Sequence, residues 1–524
     1  MSQIAAFPVT WENQADAERC WEHDPVHLPN AMTPLEFELG IGPFVDGFGW
    51  GMKPHYFNYY VFYESRDGGG DAVPPSRTTT VQVREGGRDW RESVLPEVLE
   101  HTRRYREADF ESMPNEQLVA EIEKLPDLRF RSGRLHTASV TPHWLGMSLL
   151  VDTYKELTGG DDLGAMRLVQ GYGNKSLEAG EQLWQVSRVA AGIPFVVERL
   201  AAFDPTATES FLAELGDEPN AAPFLDAFDA YLEEYGWRGG GGFSGRTWRE
   251  DPSVALSILR SYLQNTSYDP NAEQRRLAEE RDAFVRKTMA SLDEDGRERL
   301  RDVVDAALEV NALSEDHNFY IDQRLWNMPR RLVMAAGRRL VSAGSLVKPD
   351  DVFFLRTAEL CDALRGQTDG LAGTAARRME EFAYWKTVTP PRYVGKVPAA
   401  KAQSMERSPE ASIASERVDE LRGLGASAGV VTGVARIVMS LNESDRVRPG
   451  DVLVTPVTQP AWTPLFGVVA AVVTEVGGLL AHTAIAAREY AIPAVVAVPN
   501  ATRLLRDGQL LEVDGAAGTV RVIG

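Results

Sequence analysis

Residues 468–496 read VVAAVVTEVGGLLAHTAIAAREYAIPAVV, and this stretch decides the fold of the C-terminal part of the chain. The run of Val and Ala up to Val476 is typical of a buried strand. Gly477 and Gly478 then permit a backbone turn that a Cβ atom would obstruct. The Ala-rich segment that follows has a good helix-forming composition, and Pro493 stops it before a second apolar run. The pattern predicts a strand, a tight turn, a helix and another strand.

His482 is the residue of greatest interest here, because it falls at the start of the predicted helix. A helix N-terminus presents unpaired N–H groups and a partial positive charge, so it suits an anion. A neutral imidazole in that position has a nucleophilic nitrogen beside a phosphate site. We therefore expect His482 to accept a phosphoryl group and pass it on. Alternatively, it is an ordinary histidine of an α/β domain.

The same stretch closely resembles the phosphohistidine swivelling domain of PEP-utilising, dikinase-type enzymes, whose motif runs roughly G-G-x-x-[ST]-H-x-A-I-x-A-R-E-x-G-I-P-A-V-V. The matching positions are Gly477, Gly478, His482, Ala484, Ile485, Ala487, Arg488, Glu489, Ile492 and Pro493. Three positions depart from the motif. Ala481 lacks the hydroxyl that the family often has before the histidine, and Leu480 stands where dikinases have Thr. Ala491 replaces a Gly, which suggests that this position does not need a positive φ.

Flanking segments extend the resemblance and set the domain boundaries. Segments 426–433, 451–456, 458–465 and 514–520 resemble the opening strand, a later strand, the Trp-Thr-Pro-Leu turn and the closing hairpin of that domain. We therefore place the swivelling domain at 424–524. Segment 396–423 has no sustained periodicity and is predicted to be a linker. The N-terminal body is then 1–395.

The body is predicted to be mainly helical. Apolar residues recur at helical spacing in segments 112–125, 163–191, 211–235, 253–264 and 272–313. Residues 56–63 alternate as a strand does; alternatively, they belong to the wall of an aromatic pocket. The expected fold is therefore multidomain, with a mostly α-helical N-terminal substrate-binding body and a C-terminal α/β swivelling phosphohistidine domain.

Several motifs of the body resemble the substrate-binding domain of rifampin phosphotransferase and related enzymes. Trp237-Arg238 with residues 246–252 resembles their G-x-R … P-R-W-x-E-x-P segment, and residues 29–35 resemble an early Thr-Pro-Leu turn. Residues 315–360 resemble a further series that ends in D-D-[IV]-[FY]-[FY]-L-x-x-E-L. The resemblance implies substrate-binding roles for Arg238, Glu315, His317 and Arg324.

One departure from these relatives concerns charge. Where they place Arg-Glu-x-x-Lys/Arg, this chain has Ser314-Glu315-Asp316-His317-Asn318. The basic residues that would hold an incoming phosphoryl group are therefore absent at 314 and 318. His317, Arg324 and Arg330 are candidates to replace them.

Composition narrows the class of protein. The net charge of −21 over 524 residues argues against non-specific nucleic-acid binding. The longest apolar run, 466–473, is too short to span a bilayer, and residues 1–8 do not resemble a signal peptide. Cys20 and Cys361 are the two cysteines, so we expect no disulfide framework, no structural zinc site and a cytoplasmic location.

The resemblance also implies a phosphoryl donor. Rifampin-type enzymes and PEP synthases carry an ATP-grasp domain in the same chain, and PEP-dependent relatives carry a TIM barrel. Neither is evident in this sequence, and no G-x-x-x-x-G-K-[ST] loop occurs. As in phenylphosphate synthase, an ATP-grasp-type subunit in trans is expected to bind ATP with Mg²⁺ or Mn²⁺. It would phosphorylate His482 with release of AMP and phosphate.

The acceptor is expected to be a hydroxyl of a small aromatic compound. A phenol has a pKa near 10, so a base with a pKa near 7 assists transfer. His143 and His55 are candidates for this base, because each is next to aromatic residues. Trp50, Tyr56 and Trp144 are candidates for the wall of the substrate cleft. Alternatively, these histidines are structural and these aromatic residues are core.

Two other functions remain open from the sequence. In one, the phosphoryl group activates the substrate for a later carboxylation or ligation. In the other, the chain is a non-catalytic phosphocarrier or regulatory module, which the loss of basic residues at 314 and 318 favours mildly. The size of the body argues against a bare carrier.

Overall fold

A computed structural model describes residues 7–11, 13–25, 28–51, 53–64, 78–239, 242–266, 268–399 and 419–523. Most of the predicted linker, 400–418, lies outside the described residues. The chain is mostly helical, with a C-terminal α/β sheet region, as the sequence predicts. Cys20 and Cys361 are buried and unpaired with each other, so the expectation that they form no disulfide is confirmed.

The helices of the body are numbered in chain order. They are α1 (Gln14–Ala17), α2 (Pro34–Glu36), α3 (Gly42–Gly47), α4 (Thr80–Asp89), α5 (Leu95–Glu107), α6 (Asn115–Glu123), α7 (Leu125–Thr158), α8 (Asp162–Arg167), α9 (Lys175–Ala191), α10 (Pro194–Ala201), α11 (Thr208–Gly216), α12 (Ala222–Tyr235), α13 (Ser253–Gln264), α14 (Pro270–Ala290), α15 (Glu294–Asn311), α16 (Leu313–His317), α17 (Arg330–Ser342), α18 (Thr357–Leu364) and α19 (Leu371–Trp385). Three π-helical segments interrupt this series, at Phe37–Ile41, Trp90–Val94 and Asn318–Leu325.

The long helix α7 forms the centre of the body and was not predicted. It runs for 34 residues with Pro142 in its interior. A proline inside a helix removes one hydrogen-bond donor and usually kinks or ends the helix. Here the helix continues, with α3, α4 and α15 packed against it. Tertiary packing therefore offsets the local cost of the proline.

A small antiparallel sheet accompanies these helices. Its strands are β1 (Cys20–His23), β2 (Pro54–Phe57), β3 (Tyr60–Glu64) and β4 (Tyr393–Gly395), in the order β2-β3-β1-β4. The prediction of one strand over 56–63 is wrong, because β2 and β3 form a hairpin there. Asn58 and Tyr59 both have positive φ, as the two central residues of a type I′ hairpin turn require.

The C-terminal part contains an eight-stranded mixed sheet. Its strands are β5 (Glu420–Arg422), β6 (Leu424–Ser427), β7 (Val430–Ile437), β8 (Val452–Thr455), β9 (Ala471–Thr474), β10 (Ala494–Val496), β11 (Leu510–Asp514) and β12 (Thr519–Val522). Strands β7 to β10 run parallel in the middle of the order β5-β12-β11-β7-β8-β9-β10-β6. The sheet begins at Glu420, inside the segment that the sequence assigns to the linker. Helices α20 (His482–Glu489) and α21 (Ala501–Leu504) complete this part.

A continuous apolar core joins the sheet region to the body. Buried residues of α9, α12 and α13 pack in one cluster with Trp462, Leu465, Phe466 and Tyr490. Polar contacts cross the same boundary. The hydroxyl of Tyr262 donates to the carbonyl of Pro464 at 2.6 Å, and Arg260 donates to that of Asp445 at 2.8 Å. The C-terminal sheet is therefore docked firmly on the helical body.

A buried carboxyl fixes one loop of the body. Glu36 accepts hydrogen bonds from the main-chain N–H of Phe243 at 2.9 Å and from the hydroxyl of Ser244 at 2.5 Å. Gly242 next to them has a φ of +68°, and a Cβ atom there would lie 1.8 Å from Glu36 Oε1. Burial raises the pKa of Glu36 to about 7, and its hydrogen bonds oppose this shift.

This pKa predicts a pH dependence of stability. The unfolded chain loses the Glu36 proton near pH 4.5, whereas the folded chain keeps it until about pH 7. The contribution of Glu36 is therefore greatest below pH 4.5 and is lost as pH rises to about 7. Between pH 5 and pH 8, denaturant unfolding should show wild type losing roughly 2–3 kcal/mol relative to Glu36→Gln. Parallel pH profiles for the two proteins would contradict this account.

Candidate active site

His482 is the first residue of α20, as the sequence predicts. The preceding turn uses Gly477 at a φ of +139°. The expectation for Ala491 is wrong, because its φ is +53°. The N–H of Ala491 donates to the carbonyl of Arg488, and the N–H of Ile492 donates to that of Ala487. This is a Schellman ending, which requires a left-handed residue at position 491 whether or not that residue is glycine.

The imidazole of His482 contacts a carboxylate of the body. Its Nδ1 lies 2.9 Å and 3.0 Å from the two oxygens of Glu315 in α16. The side chain of Glu315 is 2 % exposed and that of His482 is 11 % exposed. An ionised carboxylate only accepts hydrogen bonds, so in this arrangement Nδ1 carries the hydrogen. The lone pair of the neutral ring is therefore on Nε2, which is the nucleophilic nitrogen.

Thr463 is a site residue that the sequence reasoning did not single out. Its hydroxyl oxygen lies 3.3 Å from Nε2 of His482 and donates to the carbonyl of Pro460 at 2.9 Å. It supplies a hydroxyl next to the imidazole, where Ala481 has none. The Trp-Thr-Pro-Leu motif marked this residue, because that segment forms the 3₁₀ helix Pro460–Gly467 facing α20.

The two charged residues after His482 hold α20 in place. The guanidinium group of Arg488 donates through its two terminal nitrogens to the carbonyls of Ala426 and Leu479, at 3.0 Å and 2.9 Å. The carboxylate of Glu489 accepts from the N–H of Gly171 in the body at 3.2 Å. Burial lowers the pKa of Arg488 to about 10 and raises that of Glu489 to about 8. These contacts fix the position of α20, the helix that begins with His482.

A second polar cluster lies beside Glu315. His317 lies two residues further along the chain, and its Nδ1 donates to the carbonyl of Leu313 at 2.5 Å. Its Nε2 lies 3.6 Å from one oxygen of Asp322, and His136 Nδ1 lies 3.0 Å from the other. The rings of His136 and His317 are 4.7 Å apart. His317 was expected to bind substrate, whereas His136 and Asp322 were missed.

His143 lies on α7, two helical turns after His136. It is buried, with Nδ1 3.2 Å from the carbonyl of Val310. Its Nε2 has no hydrogen-bond partner among the described residues. Burial lowers the pKa of His143 to about 4, and the charges of His317 and Glu315 also act on it. The ring is therefore neutral, with its Nε2 lone pair unused.

Two exposed tryptophans flank this part of the body. Trp50 and Trp144 are each 41 % exposed, and their rings are 6.1 Å apart. Trp50 contacts Phe48, whose ring stacks on that of His136 at 5.2 Å. The structure thus brings Trp50 and Trp144 into one aromatic series that leads to His136.

His55 and Tyr56 lie elsewhere in the body, in strand β2. The ring of His55 packs against those of Trp21 and Phe57. The hydroxyl of Tyr56 donates to the carbonyl of Met32 at 2.7 Å, and Tyr56 lines a cavity of about 260 Å³. None of the residues that line that cavity belongs to the cluster around His482. The structure therefore does not group these two residues with the other candidates.

The arginines that the sequence proposed form their hydrogen bonds and ion pairs with residues other than His482 and Glu315. Arg324 pairs with Glu234 at 2.7 Å. Arg330 pairs with Glu250 and Asp350. Arg238 is fully buried and donates through Nε to the carbonyl of Tyr235, and its two terminal nitrogens have no partner among the described residues. No described arginine or lysine forms a hydrogen bond or ion pair with Glu315 or His482.

Comparison with known proteins matches both parts of the chain. The model of the rifampicin phosphotransferase fourth domain matches residues 135–313, and that of the PEP-utilising enzyme mobile domain matches residues 447–518. Chondramide synthase cmdD of Chondromyces crocatus is 31 % identical over 99 % of this chain and 14 % of its own length. The uncharacterized phosphotransferase YvkC of Bacillus subtilis is 30 % identical over 78 % of this chain and 49 % of its own length.

A rifampicin phosphotransferase of Streptomyces sviceus is 33 % identical over 67 % of this chain and 40 % of its own length. The chain therefore spans less than half the length of each of these three relatives. Within the part of the chain that the structure describes, no helix combines the length and the apolar character needed to cross a bilayer.

The contact with Glu315 predicts the tautomer of His482. In protein labelled with ¹⁵N only in histidine, at pH 8, His482 should carry its hydrogen on Nδ1. Glu315→Gln should mix the two tautomers and slow phosphorylation of His482 by roughly 10- to 100-fold, since a hydrogen bond to a charged group contributes about 1.5–3 kcal/mol. Glu309→Gln is the matched control, because Glu309 pairs with Arg84 and Arg91 instead. Unchanged His482 signals in Glu315→Gln would contradict the assignment.

Proposed function

Because the chain belongs to the PEP-utilising phosphotransferase family, we propose that it transfers a phosphoryl group through phospho-His482 to a hydroxyl of a small aromatic compound. The observation that carries this proposal is the contact of His482 Nδ1 with Glu315 at 2.9 Å. It leaves Nε2 as the nucleophile, at a contact between the C-terminal sheet region and the body.

In the first half-reaction, ATP is bound by an ATP-grasp-type subunit in trans. Nε2 of His482 attacks the β-phosphorus, the bond to the α-phosphate oxygen breaks and AMP leaves. Water then hydrolyses the β–γ bond, so phosphate leaves and one phosphoryl group stays on Nε2. A covalent intermediate of this kind splits one difficult displacement into two easier ones. A cytoplasmic location is part of the same proposal.

Mg²⁺ belongs with the nucleotide in this scheme. It takes oxygen ligands in octahedral geometry. His136, His317 and Asp322, the group among the described residues whose ligand atoms lie close enough for a metal, offer two nitrogens and one carboxylate. That donor set does not fit Mg²⁺, so the proposal assigns the ion to the ATP site of the partner.

In the second half-reaction, the acceptor hydroxyl attacks phosphorus, the Nε2–P bond breaks and the O–P bond forms. The acceptor proton passes to a base, and His482 regains its lone pair. Trp50 and Trp144 support an aromatic acceptor, because both are exposed and belong to the aromatic series that leads to His136. Of the two bases proposed from the sequence, His143 is the one whose electrostatic neighbours include Glu315, but burial lowers its pKa to about 4, well below the value near 7 that suits the transfer.

A phosphocarrier is the second candidate function. The absence of basic residues at 314 and 318 supports it, because nothing there neutralises the charge of a phosphoryl group during transfer. Activation of the acceptor for a later carboxylation or ligation would use the same chemistry at His482. This alternative differs only in what happens to the phosphorylated acceptor after it is released.

The proposal can be tested without the partner subunit. Phosphoramidate phosphorylates imidazoles chemically, with loss of ammonia, and replaces ATP in the first half-reaction. We expect an acid-labile phosphoryl group on Nε2 of His482, and its transfer to members of a panel of phenols and hydroxyaryl ketones. Mass spectrometry locates the label, and ³¹P NMR identifies the products.

His482→Ala should give no aryl phosphate above the uncatalysed background, and His101→Ala should behave as wild type. His101 is the matched control because it is a histidine that pairs with Glu97 and with no residue of the candidate active site. Aryl phosphate formed by His482→Ala would overturn the proposal. Stable phospho-His482 that no acceptor discharges would favour the phosphocarrier.

A further inference from the structure

The group formed by His136, His317 and Asp322 has the composition of a transition-metal site. One ligand atom from each residue can be chosen so that all three atoms lie within 4.8 Å of one another. Ligands bonded to a tetrahedral ion at 2.0–2.2 Å are about 3.3 Å apart. His136 Nδ1 lies 3.0 Å from Oδ1 of Asp322 and His317 Nε2 lies 3.6 Å from its Oδ2, so each imidazole is close to a different oxygen of the carboxylate and both separations are within a few tenths of an ångström of that value.

The helix geometry explains why these residues meet. In an α-helix, residues five apart lie about 140° apart around the axis. His317 and Asp322 are five apart, and the segment Asn318–Leu325 between α16 and Trp326 is a π-helix, which closes its hydrogen bonds over five residues. The π turn therefore brings Asp322 under His317. Such turns occur frequently at functional sites.

Neighbouring groups orient the two imidazoles. The carbonyl of Leu313, 2.5 Å from Nδ1 of His317, accepts the Nδ1 hydrogen and leaves Nε2 as the free ligand atom that faces Asp322. A carbonyl in this position is the usual outer partner of a metal-binding histidine. The ring of His136 packs against Phe44 and stacks on Phe48. Both rings are thus held in place before any ion binds.

Two of the three side chains are partly accessible to solvent. The side chains of His136 and Asp322 are 17 % and 25 % exposed, so an ion has access from solvent. Three protein ligands leave at least one coordination position open.

We propose that His136, His317 and Asp322 bind a divalent transition-metal ion, represented by Zn²⁺, whose open position takes an oxygen of the acceptor or of the phosphoryl group. The first part stands on the geometry alone, and the second rests on the proposed function. The ion would supply, two residues from Glu315, positive charge that Ser314 and Asn318 do not provide. Imidazole ligands suit Zn²⁺, Fe²⁺, Cu²⁺ and Ni²⁺, whereas Mg²⁺ prefers oxygen ligands.

The test is a calorimetric titration of the metal-free full chain with Zn²⁺, Mn²⁺ and Mg²⁺. We expect one Zn²⁺ per chain, with Mg²⁺ bound far more weakly. His136→Ala, His317→Ala and Asp322→Asn should each weaken Zn²⁺ binding by at least about 100-fold. Asp322→Asn keeps the shape of the side chain, so it remains informative where a histidine variant fails to fold. His101→Ala should bind Zn²⁺ as wild type does.

Two results would overturn the site. One is Zn²⁺ binding by wild type no tighter than by Asp322→Asn, and the other is Mg²⁺ binding as tight as Zn²⁺ binding. The phosphoramidate reaction separates this proposal from the proposed function. His482→Ala should keep the metal and lose phosphorylation. Asp322→Asn should keep phospho-His482 and transfer it at least about 10-fold more slowly, because it has lost the charge on the acceptor side. Unchanged transfer would remove the ion from the reaction but not from the site.

Discussion

The contact between His482 and Glu315 is the constraint on which the candidate active site depends. It joins residues that are 167 positions apart in the chain, one on the C-terminal sheet region and one on the body. A hydrogen bond to a charged group contributes about 1.5–3 kcal/mol, which is enough to choose between two tautomers of an imidazole. The same contact sets where Nε2 points and requires that the two parts of the chain be docked. The tautomer of His482 therefore depends on the docking of the C-terminal sheet region on the body.

Docking and movement place opposite demands on the boundary between the sheet and the body. The apolar core continues across it and includes Trp462, Leu465, Phe466 and Tyr490. Exposing one such side chain costs about 1.5–3 kcal/mol. A histidine that serves two distant pockets must therefore exchange this surface for an equivalent one. In the proposed cycle, the ATP-binding partner provides that surface.

The sequence predicted the parts of the fold that follow from local chemistry. The strand, the glycine turn and the helix that begins at His482 agree with the structure because each depends on residues next to one another. Helix α13 has the predicted bounds for the same reason. Helix α7 could not be predicted, since Pro142 opposes it locally and only packing maintains it. The prediction for Ala491 was wrong for a related reason, because the hydrogen bonds that end the helix set its φ, whatever the residue type.

The site was predicted unevenly. His482 and Glu315 each belong to a motif, so the residues could be named, but nothing in the sequence joined one to the other. His136 and His143 are seven positions apart on α7, and that spacing would have paired them had the helix been recognised. The role of Thr463 was marked only by its place in a motif. Asp322 carried no local signal, because its position depends on a π turn.

The π-helical segment has a consequence for how this surface can evolve. One extra residue in a turn shifts the angular phase of everything beyond it by about 100°. Residues before Asn318 and residues after Leu325 can then each keep a normal α-helical register toward different neighbours. The π segment therefore lets the rotation of the helix before Asn318 differ from the rotation after Leu325. Substitutions on the face near His482 need not disturb the face that carries Trp326, and deletion of a single residue would return both faces to one α-helical register.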